Sequence, residues 1–130
     1  MTVELDHLIL PVRDAAQSRD FYTRVLGFTD DGEQEPFSVV RVTETFTMQL
    51  APWGTDGGMH LAFALSPDRF ARTFERVRAA GIGYGDSYHA VGNMQGPGEE
   101  PGARGPGKAV YFFDPNQHLI ELRLYENATP

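Results

Sequence analysis

Three side chains have the types and places to hold a divalent metal: His7, His60 and Glu121. Glu121 is the most demanding of them. It stands in Leu119-Ile120-Glu121-Leu122, where strand alternation sends Ile120, Leu122 and Leu124 to one face and Leu119, Glu121 and Arg123 to the other. Burying a carboxylate in such an apolar strand is costly unless it is paired, hydrogen-bonded or bound to a metal. An outward-facing glutamate on a half-exposed sheet is the simpler alternative. His7 shares a strand face with Leu5 and Ile9, and His60 shares one with Ala62 and Ala64. A lone histidine on an apolar strand is ordinarily a satisfied core residue. Two of them with one carboxylate, converging on one cup, make the set that suits Fe(II), Mn(II), Ni(II) or Zn(II) with open positions.

The elements that must position these groups follow a repeated plan. Leu5–Val12 reads as a strand, and Asp14 caps a helix from Ala15 to Leu26 that Gly27 stops. Strand-like pieces follow at Phe28–Asp31, Phe37–Thr43 and Phe46–Ala51. After a Pro/Gly linker around Trp53 the plan recurs. Met59–Leu65 is a strand, Ser66-Pro67 starts a helix that runs to Ala80, and Ile82–Tyr84 is a short strand. Strands Ala109–Phe113 and His118–Leu124 close the chain around the turn Asp114–Gln117, built from turn-forming Asp, Pro and Asn. His7 matches His60, Phe21 matches Phe74, and Gln49 matches Glu121. The expected fold is α+β, two βαβββ modules (about 3–52 and 58–126) in a single domain, with a curved mixed sheet forming a cup.

Composition narrows the function. The 130 residues suffice for one domain with a real core, and 41% hydrophobic with 22% charged residues is ordinary for a soluble protein. Cysteine is absent, which excludes disulfides, thiolate catalysis and sulfur-based zinc sites. A formal net charge of −7 argues against nucleic acid and anionic membranes as partners. No apolar run reaches membrane-spanning length and no export signal is visible, so a cytoplasmic location is expected.

Several segments, in order, resemble the vicinal oxygen chelate superfamily, which includes glyoxalase I, fosfomycin- and bleomycin-resistance proteins, extradiol dioxygenases and methylmalonyl-CoA epimerase. They are Leu5-Asp6-His7-Leu8, Asp20-Phe21-Tyr22 with Leu26-Gly27-Phe28, Met59-His60-Leu61, and Val110 to Pro115 running on to Leu119-Ile120-Glu121-Leu122. Gln117 departs from the family pattern, which usually has glycine there. The resemblance implies metal ligands at His7, His60 and Glu121, a candidate fourth position at Gln49, and a homodimer. The site is formed either within one chain or between two, with His7 and Gln49 then from one copy and His60 and Glu121 from the other. It also implies a small-molecule substrate bound to the metal through two neighbouring oxygens.

The reaction class stays open between dioxygenase, lyase or isomerase, and resistance-type transferase. Gln49 weakens a glyoxalase-type proton shuttle, because an amide cannot take the proton. Glu121 and Tyr111 are the catalytic candidates. Tyr111 is equally a packed aromatic with its hydroxyl at the rim. The Gly/Pro-rich stretch His89–Lys108 reads as a flap or as a solvated loop, with Arg104 and Lys108 available to an anionic group. Arg123 either reaches the mouth of the cup or pairs with an acidic neighbour, and His89 and His118 are expected to be structural. The alternative function is a metal-free small-molecule binding protein of the bleomycin-resistance kind.

Overall fold

The computed structural model describes residues 2–128. The chain divides after Gly57 into two compact units. Unit 1 runs β1 (His7–Pro11), α1 (Ala15–Asp20), a π-helical stretch (Phe21–Val25), β2 (Thr29–Gln34), β3 (Phe37–Arg41) and β4 (Thr47–Ala51). Unit 2 runs β5 (His60–Ala64), α2 (Pro67–Ala79), β6 (Tyr84–Gly85), β7 (Gly98–Glu99), β8 (Gly107–Phe113) and β9 (Leu119–Tyr125).

The two units repeat one topology. The sheet of unit 1 has the order β1-β4-β3-β2, and that of unit 2 has β5-β9-β8-β6 with β7 added on β8. In each, the first strand lies parallel to the last, and the remaining pairs are antiparallel. The registers agree to the residue. Gln49 lies between Ile9 and Val39, and Glu121 lies between Ala62 and Tyr111. The internal match of Gln49 with Glu121 therefore holds in three dimensions.

Alternation places the core beneath each sheet. In unit 1 Leu10, Val40, Met48 and Leu50 are fully buried on the side covered by α1. In unit 2 Val110, Phe112, Ile120 and Leu122 are buried, and α2, which buries Phe70, Phe74 and Val77, packs against β9. The helix starts follow their capping residues. Asp14 accepts from the Gln17 amide at 2.9 Å, and Ser66 accepts from the Arg69 amide at 3.3 Å with Pro67 at the first position.

Two features depart from the sequence reading. The first helix widens at Phe21, where the Leu26 amide bonds the carbonyl five residues back. Phe21 and Tyr22 are both buried there, edge to face at 5.2 Å, and burying two successive aromatics outweighs the ideal turn. The stretch 89–108 is not structureless. Its Gly98–Glu99 segment pairs with Ala109 and Lys108, and Gly102 and Gly105 exchange backbone hydrogen bonds.

The closing turn explains the expected glycine. Gln117 has φ of 68°, a left-handed conformation that costs an L-residue about 1–2 kcal/mol. Relief of that strain outweighs the extra entropy of glycine in the unfolded chain. Gln117→Gly is therefore expected to stabilise by about 0.5–1 kcal/mol, raising the melting temperature by roughly 2–4 °C. An unchanged or lowered melting temperature would contradict this. Among the described residues no helix is long and apolar enough to cross a membrane.

Candidate functional site

Unit 2 brings two of the three expected ligands together. His60 opens β5, and Ala62 and Ala64 follow it on the same face. Their small side chains leave the imidazole half-exposed, at 50%. Glu121, two residues along the neighbouring strand from His60's partner Leu119, directs Oε1 to within 2.9 Å of His60 Nε2. A carboxylate oxygen only accepts, so Nε2 is the protonated nitrogen in this pair. The other carboxylate oxygen takes Arg123 Nη1 at 2.5 Å. Arg123 and Glu121 are 4% and 8% exposed, so this is a buried ion pair.

Tyr111 lies directly opposite Glu121, and its ring centroid is 6.5 Å from that of His60. Burial pushes its phenol up to about 12, with the Glu121 carboxylate adding to the rise. At neutral pH Tyr111 is thus a proton donor in hydrogen bonds and not a base. Burial opposes the charged form of Arg123, yet its pairing with Glu121 outweighs this and raises its pKa above the ordinary value.

The raised phenol has a measurable consequence. Between about pH 10 and 12 the unfolded chain ionises Tyr111 while the folded chain keeps it protonated, so stability falls as pH rises through that window. Tyr111→Phe is expected to remove an alkaline loss on the order of 2 kcal/mol. Denaturant midpoints of both proteins from pH 8 to 12 check it. Parallel curves would refute the assignment.

Unit 1 carries the matching half of the expected set. Its sheet face forms an open concavity of about 900 Å³, with His7, Asp6, Gln34, Arg41, Thr47 and Gln49 in its lining. Asp6 accepts from His7 Nδ1 at 2.7 Å, which leaves Nε2 as the lone-pair nitrogen. Gln49 donates to the Gln34 side-chain carbonyl at 2.7 Å. Asp6 was not legible as a partner. It precedes β1, whereas strand alternation would have turned it to the opposite face from His7.

Among the described residues, no three His, Cys, Asp or Glu side chains gather into a metal-binding group. Unit 2 offers a pair, and that pair fits. Their 2.9 Å spacing is that of a hydrogen bond, and it is also close to that of two donor atoms at right angles on an ion with bonds of about 2.1 Å. The remaining oxygen is held by an outer partner, as ligating carboxylates generally are.

The other candidates fall elsewhere. Arg104 is exposed, its guanidinium 5.3 Å from the Tyr125 ring centroid. Lys108 shares a strand parity with Val110 and Phe112, opposite to that of Tyr111. His89 bonds Ser87 in a surface turn. His118 is fully buried and its Nδ1 accepts from the Met59 amide at 3.2 Å, fastening the start of β5 to the closing turn.

The repeated βαβββ topology, with the first strand of each sheet parallel to its last, defines a class of small α+β proteins. The family model of the Glyoxalase/Bleomycin resistance protein/Dioxygenase superfamily matches residues 4–122, and the chain belongs to that superfamily. It is 28% identical to the glyoxalase domain-containing protein RDO1 of Mycosarcoma maydis, over 95% of this chain and 69% of that one. Among solved structures, oxidase ChaP-H2 is similar at 27% identity and a TM-score of 0.78, covering 99% of this chain and 100% of that one. The virulence protein STM3117 from Salmonella typhimurium is 26% identical with a TM-score of 0.74, covering 96% and 98%.

Proposed function

We propose that this protein is a divalent-metal enzyme acting on a small molecule that presents two neighbouring oxygens. The observation that carries the reading is the His60–Glu121 pair, an imidazole and a carboxylate brought together on adjacent strands with their facing atoms 2.9 Å apart. His60 Nε2, its proton moved to Nδ1 or released, and Glu121 Oε1 would hold the ion, with His7 Nε2 and Gln49 as the further donors. In a homodimer His7 and Gln49 come from the second copy. Bound there, Fe, Mn, Ni or Zn supplies a Lewis acid that stabilises negative charge on the substrate oxygens.

The chain's own groups then narrow the chemistry. Gln49 can orient a substrate oxygen but cannot accept a proton from carbon. Tyr111 remains protonated and donates to an oxygen that gains charge. Both features suit substrates whose oxygens arrive acidic, such as catechols or enols, better than ones that need a carboxylate base. Oxygenating or ring-opening chemistry makes no demand for such a base, and the relative ChaP-H2 is named an oxidase.

Elemental mass spectrometry on untagged protein tests the reading. The wild type is expected to hold about one equivalent of transition metal per chain, and His60→Ala, a change at an exposed side chain, to lose it while staying folded. Co-expressed His7→Ala and His60→Ala chains should recover about a quarter of the sites if a homodimer shares them. A wild type that takes up none of the four ions would refute the proposal.

A further inference from the structure

Glu121 is committed on both sides, and the second commitment reaches well beyond the site. Oε1 faces His60 Nε2 and Oε2 takes Arg123 Nη1. The other terminal nitrogen of Arg123, Nη2, donates to the backbone carbonyl of Glu100. One buried planar cation thereby holds two acceptors on different segments. The Tyr125 ring centroid lies 5.1 Å from the guanidinium carbon. Among the described residues Arg123 Nε finds no acceptor, and Gly102 lies against it so closely that an added Cβ would be 2.4 Å away.

The segment being held has structure of its own. The Glu100 amide donates to Gly107 at 3.0 Å and the Gly102 amide to Gly105 at 2.8 Å. Its glycine at 102 serves close approach to Arg123 and not backbone freedom, since no positive φ is found there.

We infer that Arg123 is a positioning residue, an assignment that rests on the metal reading above. It restricts Glu121 to one-oxygen presentation towards His60 and ties that carboxylate to the 98–105 segment. Arginine is the required type. A guanidinium carries donors in a fixed planar fork that spans two acceptors, whereas the ammonium of lysine is a point charge. The coupling runs both ways, because loosening either acceptor frees the cation that orders the other.

Hydrogen exchange on the full metal-free chain and the visible spectrum of the Co²⁺-loaded chain test this together. Arg123→Lys keeps the charge, yet exchange at the Glu100 and Gly102 amides is expected to accelerate at least about tenfold, beyond any change at the β8 and β9 amides of the same variant. Glu121→Gln is expected to accelerate the same amides, although Glu121 does not touch them. The Co²⁺ absorption of Arg123→Lys should differ from that of the wild type, because Glu121 is released to bind through both oxygens. A merely structural arginine would leave that spectrum unchanged. Unaltered exchange in both variants, or an unaltered Co²⁺ spectrum in Arg123→Lys, overturns the inference. A wild type that takes up no Co²⁺ would count against the metal reading, and the exchange arm would then decide the coupling by itself.

Discussion

Glu121→Ala is expected to lose about 3–5 kcal/mol of folding stability, the largest single-site effect at the candidate site. Its partner Arg123 is 4% exposed and would be left as a buried cation without its carboxylate. Loss of Arg123's anchor would also release its hold on the Glu100 carbonyl. His60→Ala gives the contrast. Its imidazole is half-exposed and its removal leaves the Glu121–Arg123 pair standing, so the cost should stay below about 1 kcal/mol. Denaturant unfolding of the two variants separates structural from ligand roles. Equal costs would mean that the ion pair contributes nothing beyond the imidazole contact, and the account of Glu121 would fail.

Two successive phenylalanines supply the second test. Phe112→Ala is expected to cost about 3–5 kcal/mol, because the ring is fully buried opposite Ile120 in the layer beneath α2. Phe113→Ala, at a ring 40% exposed on the face shared with Tyr111, should cost less than about 1 kcal/mol. The same deletion in adjacent residues thus differs several-fold through strand parity alone. Urea midpoints with unchanged slopes would measure it. A Phe113→Ala cost equal to that of Phe112→Ala would place the core on the wrong side of β8.

The strands, both helix starts and the duplication were legible because each rests on local chemistry. Alternation at Ile120, Glu121 and Leu122 requires nothing beyond the pleat, and Asp14 and Ser66 cap the helices that follow them through bonds three residues long. The places of His60 and Glu121 were legible for the same reason, since each stands at a matched place in the repeated strands, His60 with His7 and Glu121 with Gln49. What the alternation could not say is how far β5 slides against β9. That register places His60 opposite Leu119 and so brings its Nε2 to Glu121.

Three further features belong to tertiary structure. The widening of the first helix at Phe21 follows from aromatic packing that no capping residue signals. Asp6 orients His7 because the strand begins one residue after it. Arg123 shares a face with Glu121 by parity, which left both a substrate contact and an ion pair open. Its burial under Gly102 and its bond to Glu100 decided for the ion pair. The sequence by itself determined which groups face which way along each strand, since that depends on a two-residue period. Only the tertiary structure decided which of them meet, since partners such as Glu100 and Arg123 are joined by the folding of a long intervening chain.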